Sequence, residues 1–296
     1  MRTEQKSFHL EQEGALYLVP TPIGNLEDIT LRAIRMLKEA DLIAAEDTRQ
    51  TIKLLNHFEI KKPLISYHEH NKRESGKKIL EEIRQGKKVV LVSDAGMPAI
   101  SDPGNDLVVE ALEENLKVIA LPGANAALTA LVASGLPTDH FYFYGFLPRE
   151  KKERTQELER LKQIKDPVIF YEAPHRLKET LTAIEQAWGN RRASLSRELT
   201  KKYEEYIRGT IHELLEWISA GTIRGEFCLV VEGASEEQLE QEEKWWAHLQ
   251  LKDHVQYYIE KEGMRSKEAI KRVAEEREMP KRMVYQAFHM SDMEIT

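Results

Sequence analysis

Short apolar runs recur along the first part of the chain, and each is followed by an amphipathic stretch. Ala15–Val19, Leu42–Ala45, Leu64–Tyr67, Val89–Val92 and Val118–Leu121 are too short for helices and read as strands, the fourth buried on both faces. After the first run comes a rigid Pro- and Gly-containing loop, Pro20 to Asn25, in which Asn25 or a following Asp28 can cap the next helix. That helix carries Leu31, Ile34 and Leu37 on one stripe and Arg32, Arg35 and Lys38 outside it. A second helix is predicted over Ser75 to Gln85, closed by Gly86, and a third starts at Leu107. Strands and helices alternating at spacings of about thirty residues predict a parallel α/β sheet through residue 121.

The pattern then changes. Phe141 to Phe146 alternates like a half-buried strand, and Val168–Tyr171, Ala193–Leu199 and Glu226–Val231 are further strands. Helices are expected up to Lys165, through Trp188 and over Ile211–Ile218, and some links are too short for crossovers, so strand directions should be mixed. From about Ser235 only helical patterns remain, and two short helices around Pro280 resemble a helix-turn-helix pair. These shifts divide the chain into a flexible tail (1–14), an N-terminal α/β domain (15–122), a second α/β domain (123–234) and a helical extension (235–296).

A chain of 296 residues with 41% apolar content can bury two cores. Its one cysteine, Cys228, cannot form an internal disulfide and fits a reducing cytoplasm. The longest uncharged run, Val118 to Thr138, is broken by Pro122, Gly123 and Asn125, so no membrane segment is expected; nor do the first residues carry an apolar signal region. The net charge of −7 gives no overall pull toward nucleic acid, but Arg191–Lys202 holds five bases against one acid. His68-Glu69-His70 has the spacing of a metal pair, but no third ligand follows and no metal is expected.

Candidate chemistry gathers where strands end. In open α/β sheets ligands sit outside the carboxyl ends of the strands, so the small-residue turns from Asp94 to Gly104 should line a cofactor pocket. Glu46-Asp47-Thr48-Arg49 ends another strand, with a helix cap at Asp47 or Thr48 as the alternative reading. No G-x-G-x-x-G follows the first strand and no G-x-x-x-x-G-K-[ST] occurs, which disfavours dinucleotide and P-loop sites.

The segments LVPTPIGNLEDIT, AEDTR, SYHEHN, SDAGMPAISDPG, PGANAALTAL, FYGFLP, YEAPHR and RELTKKYEE stand in the order found in the ribosomal RNA small subunit methyltransferase I family. This is a branch of the tetrapyrrole-methylase-like (class III) S-adenosylmethionine (SAM)-dependent methyltransferases, and the chain resembles it from about Leu16 to Gly233. The resemblance implies 2′-O-methylation of a cytidine ribose in 16S rRNA near the decoding centre, within the small ribosomal subunit. It also implies SAM as donor, a homodimer, and two α/β domains with the donor folded between them. Carried onto this chain, the cofactor residues are Asp94, Ala95, Gly96, Ile100 and Ser101, with Asn125, Ala126, Tyr171 and Phe227 on the adenosine side. Thr21, Pro22 and Gly24 would face the substrate; Arg49, Arg176 and Arg197 would clamp phosphates, with Glu198 beside them. Asp47 or His175 is the expected base and Lys201 the alkoxide stabiliser. Tetrapyrrole members carry Gly-Asp-Pro where this chain has Asp94-Ala95-Gly96, which argues against a tetrapyrrole substrate. The other readings are a small-molecule or protein methylase and a non-catalytic nucleic-acid-binding regulator.

Overall fold

The structure, a computed structural model, describes residues 5, 14–221, 223–243 and 246–289. The expected tail (1–14) lies outside the described residues except for Gln5 and Gly14. The carboxamide of Gln5 exchanges hydrogen bonds with the backbone of Val118, at 2.9 Å in each direction. The chain forms two compact units, Met1–Ala234 and Ser235–Thr296.

The first unit holds two five-stranded sheets. The first comprises β1 (Ala15–Leu18), β2 (Leu42–Ala45), β3 (Leu64–Ser66), β4 (Lys88–Val92) and β5 (Lys117–Ala120), all parallel, in the order β3-β2-β4-β1-β5. Its connections run both ways across the sheet. From β1 the chain moves toward β3 through α1 (Leu31–Glu39) and α2 (Thr48–His57); from β3 it returns to β5 through α3 (Lys72–Arg84) and α4 (Asn105–Glu113). Crossovers of one hand moving in opposite directions must lie on opposite faces. Accordingly Ala33, Met36, Leu37 and Leu55 fill the core on one face, and Ile79, Ile83, Leu107 and Ala111 the core on the other. The loops after β1 and β4 are therefore neighbours at the sheet's carboxyl edge, where α1 and α4 depart to opposite sides.

Two local expectations are corrected. Asn25 caps only a single 3₁₀ turn (Leu26–Asp28), whereas α1 is capped by Thr30, whose hydroxyl accepts from the Ala33 amide at 3.0 Å. The buried stripe of α1 is Ala33, Met36 and Leu37; Leu31, in the first turn, is 87% exposed.

The second sheet has the order β6-β7-β10-β8-β9, from β6 (Tyr142–Gly145), β7 (Val168–Glu172), β8 (Arg192–Arg197), β9 (Glu205–Thr210) and β10 (Phe227–Val231). Only the β6–β7 pair is parallel, so directions are mixed as expected. The edge strand β9 was not anticipated from the sequence. Leu158 and Leu161 of α6 (Lys151–Leu161), Leu177, Ile184 and Trp188 of α7 (Leu177–Trp188), and Leu214 of α8 (Ile211–Ala220) pack on one face. On the other, α5 (Ala126–Ser134) sets Ala127, Ala130 and Leu131 against Ile169, Cys228 and Val230.

The second unit contains α9 (Glu236–Glu243), α10 (Leu251–Lys261), α11 (Ser266–Glu276) and α12 (Lys281–His289), with a core of Val255, Tyr258, Ile270, Val273 and Val284. The two helices expected on either side of Pro280 are α11 and α12. No described helix is long and apolar enough to cross a membrane.

Candidate active site

The strand-end loops of both sheets meet around a cleft of about 390 Å³. One wall comes from the first sheet: Ile23 from the loop after β1, and Ala95, Gly96, Met97, Ile100, Ser101 and Asp102 from the loop after β4. Asn125 and Ala126 at the start of α5 form the floor of the junction. The opposite wall is Phe146, Tyr171 to Pro174, Leu199, Lys201 and Glu226 to Cys228 from the second sheet.

Backbone pairing joins the first two loops. Thr21 and Gly96 exchange hydrogen bonds at 2.9 and 3.0 Å, and the Thr21 hydroxyl donates to the Ser93 carbonyl at 3.1 Å. Gly96 has φ +78°, and a Cβ there would lie 3.3 Å from Ile23, so glycine keeps this turn open. Across the cleft, a Cβ on Gly145 (φ +83°) would stand 2.9 Å from the Ser101 hydroxyl oxygen. Four non-glycine residues with left-handed backbone, Ala99, Ser101, Glu198 and Thr200, lie in two loops that border the cleft. Such strain is retained where surrounding structure enforces it, and it clusters at functional sites.

The Tyr171 hydroxyl accepts from the Ala127 amide at 3.1 Å, while the Asn125 side chain accepts from Leu128 at 3.0 Å, so both cap the amino end of α5. The Tyr171 ring meets Phe143 and Phe146 edge-on, at 5.2 and 5.6 Å between centroids. Burial pushes the Tyr171 phenol and the Cys228 thiol each up to about 12, so both are neutral at physiological pH.

Lys201 bridges two carboxylates, Glu198 at 3.0 Å and Glu226 at 2.9 Å. Burial opposes its charge, but these two partners outweigh that and raise its pKa. Glu198 also accepts from the Glu226 amide at 3.0 Å, which lowers its pKa and staples the loop to the start of β10. Gly24 lies against this staple: a Cβ there would fall 2.4 Å from Lys201 Cγ.

The β4 edge carries an acidic group. Asp102 is half-buried in the cleft wall, and burial, reinforced by the negative charges of Glu46 and Asp94, pushes its carboxyl up to about 6. Glu46 is raised as well, by burial and then by Asp94. The sequence places Asp102 in the pocket-lining stretch Asp94 to Gly104 but gives it no chemical role. Its one local signal is a place in the second small-residue turn; of the neighbours that perturb it, Asp94 stands at the start of the same loop and Glu46 comes from the end of β2.

Of the expected cofactor residues, Ala95, Gly96, Ile100, Ser101, Asn125, Ala126, Tyr171 and Phe227 all line the cleft, whereas Asp94 is off the lining and accepts from the Asp47 amide at 3.0 Å. Of the residues expected to do chemistry, only Lys201 reaches it. Asp47 is the N-cap of α2 and grips Arg49 through three side-chain bonds, at 3.0, 3.2 and 2.6 Å; that partner holds its carboxyl down to about 2. His175 is exposed and outside the lining. Among the expected phosphate clamps, the Arg176 guanidinium donates to the carbonyls of Leu147 and Pro148, both at 3.0 Å, and so pins two loops together. Arg197 donates to the Arg224 carbonyl at 2.8 Å and pairs with Glu205 at 3.2 Å. Arg49 stays 86% exposed. Thr21 is buried and Pro22 is off the lining; Glu198 acts on the cleft through Lys201. His68 and His70 lie beyond β3 with ring centroids 6.0 Å apart, and no metal-holding cluster exists among the described residues.

Two parted α/β sheets with their strand-end loops around one cleft place the chain in a known class. The sequence profile of the Tetrapyrrole (Corrin/Porphyrin) Methylases matches residues 15–215, and the chain belongs to that family. Solved structures of cobalt precorrin-4 methyltransferase (TM-score 0.56, 18% identity, 77% of this chain and 97% of that one) and of diphthine synthase (0.60, 15%, 76% and 93%) share the fold. So does a uroporphyrin-III C-methyltransferase from Thermus thermophilus, solved with S-adenyl homocysteine (0.53, 20%, 74% and 97%). Within the family, relatives from Halalkalibacterium halodurans and Bacillus subtilis are each 58% identical, over 98% of this chain and 99% of theirs; both are named ribosomal RNA small subunit methyltransferase I. The chain is accordingly a methyltransferase of this group.

Proposed function

We propose that the chain transfers the methyl group of SAM to the ribose 2′-hydroxyl of a cytidine in 16S rRNA, near the decoding centre. The observation that carries this reading is the glycine-kept cleft between the loops of two sheets, in a chain 58% identical over 98% of its length to proteins named for small-subunit rRNA methylation.

The lining fits SAM. The cleft lies within the volume range of small-molecule sites. Gly96 leaves space that a Cβ would fill, Gly145 lets the backbone approach the lining residue Ser101 closely, and Ile100, Tyr171 and Phe227 offer apolar surface. Glu172 and Glu226 supply negative charge suited to a sulfonium cation. Bound there, SAM supplies an electrophilic methyl group. The chain's part is to orient donor and acceptor in line, which can account for several kcal/mol of the barrier. Ala95 to Ser101 would hold one side of the donor and Asn125, Ala126, Tyr171 and Phe227 the other. Lys201 uses two of its three N–H groups on Glu198 and Glu226, leaving one for the alkoxide that develops on the acceptor. The exposed Phe146 ring at the cleft and the exposed, Asp47-paired Arg49 would receive a base and a phosphate. The protein would work in the cytoplasm, as a homodimer, on an assembled small subunit that presents the hydroxyl in a fixed shape.

Isolated small subunits, naked 16S rRNA and a uroporphyrinogen are each incubated with the protein and methyl-labelled SAM. Label recovered as 2′-O-methylcytidine from the subunit supports the reading. Label on the tetrapyrrole alone, or on a base, refutes it.

A further inference from the structure

The acceptor's proton needs a destination, and the cleft restricts it. Tyr171 and Cys228 are protonated at neutral pH and cannot accept. Glu172 is buried and already accepts from the Ala173 amide at 2.8 Å and the Thr180 hydroxyl at 2.6 Å, with Arg176 at 3.8 Å. Glu226 is bound to Lys201 on the rim, its side chain 82% exposed. Outside the lining, Asp47 is a weak base locked to Arg49.

Asp102 remains. It projects into the wall from a loop whose backbone is held left-handed at Ala99 (φ +67°) and Ser101 (φ +61°), so its position is enforced. The charged groups that face it are Glu46 from the end of β2 and Asp94 from the end of β4, both acidic, with the Ser93 hydroxyl beside it. No cation among the groups that perturb it competes for its carboxylate.

We infer that Asp102 is the catalytic base, taking the proton from the acceptor hydroxyl as the methyl group is transferred. The inference rests on the functional reading above. In the step, the hydroxyl oxygen forms a bond to the methyl carbon as the carbon–sulfur bond breaks, and the bonding pair stays on sulfur, which becomes a neutral thioether. The O–H proton passes to the Asp102 carboxylate and then to water. A carboxyl pushed up to about 6 suits this role, being ionised at pH 7 yet more basic than an ordinary aspartate.

The test compares wild type with Asp102→Asn and Asp102→Ala, using full-length protein, isolated small subunits and labelled SAM. Single-turnover methylation by either variant should fall by at least about a hundredfold, the usual worth of a positioned base. Calorimetric SAM affinity should stay within about threefold of wild type, a difference below 1 kcal/mol. Formate in the buffer should partly restore turnover to Asp102→Ala, a response that a structural carboxylate would not give. Wild-type kcat/KM should fall below about pH 6, the limb reporting Asp102 in the free enzyme. Turnover kept within about threefold, or a loss that appears wholly as weaker SAM binding, overturns the inference while leaving the proposed function standing. A wild type that methylates no small subunit removes both.

Discussion

An ionisable group placed where its charge is disfavoured should weaken the fold, and Asp102 gives that trade a magnitude. Its carboxyl titrates near 6 in the folded chain against 3.8 ordinarily. The folded state therefore binds the proton more tightly than the unfolded chain does. This group's contribution is fully present below about pH 4 and is lost as pH rises through about 6. A shift of about two units, at 1.36 kcal/mol each, bounds the effect near 3 kcal/mol. The carboxyl is only half-buried, and solvent screening reduces this to about 1–2 kcal/mol. Asp102→Asn keeps shape and removes the charge. At pH 7 its melting temperature should exceed wild type by about 2–8 °C, the range expected for a unit of this size. At pH 4 the two should melt together. Scanning calorimetry across pH 4 to 8 gives the comparison. A variant that melts at or below wild type at pH 7, or with the same offset at both ends of the range, refutes the reasoning. If the stabilised variant is also the inactive one, the cleft holds its base at the expense of the fold.

Two further outcomes follow from single positions. Gly145→Ala and Gly135→Ala force alanine into nearly the same backbone, at φ +83° and +79°, and each should lose about 1 kcal/mol of stability. Only the Gly145 Cβ meets an obstacle, Ser101 at 2.9 Å, so only Gly145→Ala should weaken SAM binding, by about tenfold in a calorimetric titration; equal affinities would contradict the described cleft. In the second unit, burial holds His254 below its ordinary 6.5 despite the pull of Glu276, with Arg277, Trp246 and Tyr258 as its other neighbours. The neutral ring's contribution is present above pH 6.5 and lost as pH falls below it. The urea midpoint of this unit, followed by the methyl signals of Ile270 and Val273, should drop between pH 7.5 and 5.5. The drop should shrink in His254→Phe, and an unchanged drop would count against the assignment.

The fold was legible in the sequence where hydrophobic period and burial coincide. Val89–Val92 is apolar throughout because β4 is covered on both faces, and that signal survives without knowledge of its neighbours. Strand β9 escaped because Glu205 to Thr210 is a half-buried edge whose Tyr206 and Arg208 look polar, although the arginine lies over the tyrosine ring at 5.0 Å. In α1 the packing stripe rests on Ala33 and Met36, and Leu31 misleads because the first turn projects beyond the core.

The site divides in the same way. Cleft-lining residues such as Gly96 and Ser101 were readable because tight turns demand small residues. Charged residues other than Lys201 were not, since their fate depends on partners from distant segments. Arg176 looks like a clamp in sequence, yet the carbonyls it binds belong to Leu147 and Pro148. Asp102 looks like a turn residue until Glu46 is brought beside it from the end of β2 and the fold of its own loop sets Asp94 near it. An arginine or carboxylate at a strand end therefore marks a neighbourhood and leaves its role to the tertiary contacts.

The most direct test of the account is a crystal structure of the full chain grown with S-adenosylhomocysteine, the product form of the donor. The account predicts density for the ligand between the Gly96–Ser101 turn and the Asn125, Tyr171 and Phe227 wall, with the Asp102 carboxylate open to the acceptor side. Ligand bound elsewhere, or this cleft closed by packed side chains in the complex, would contradict it.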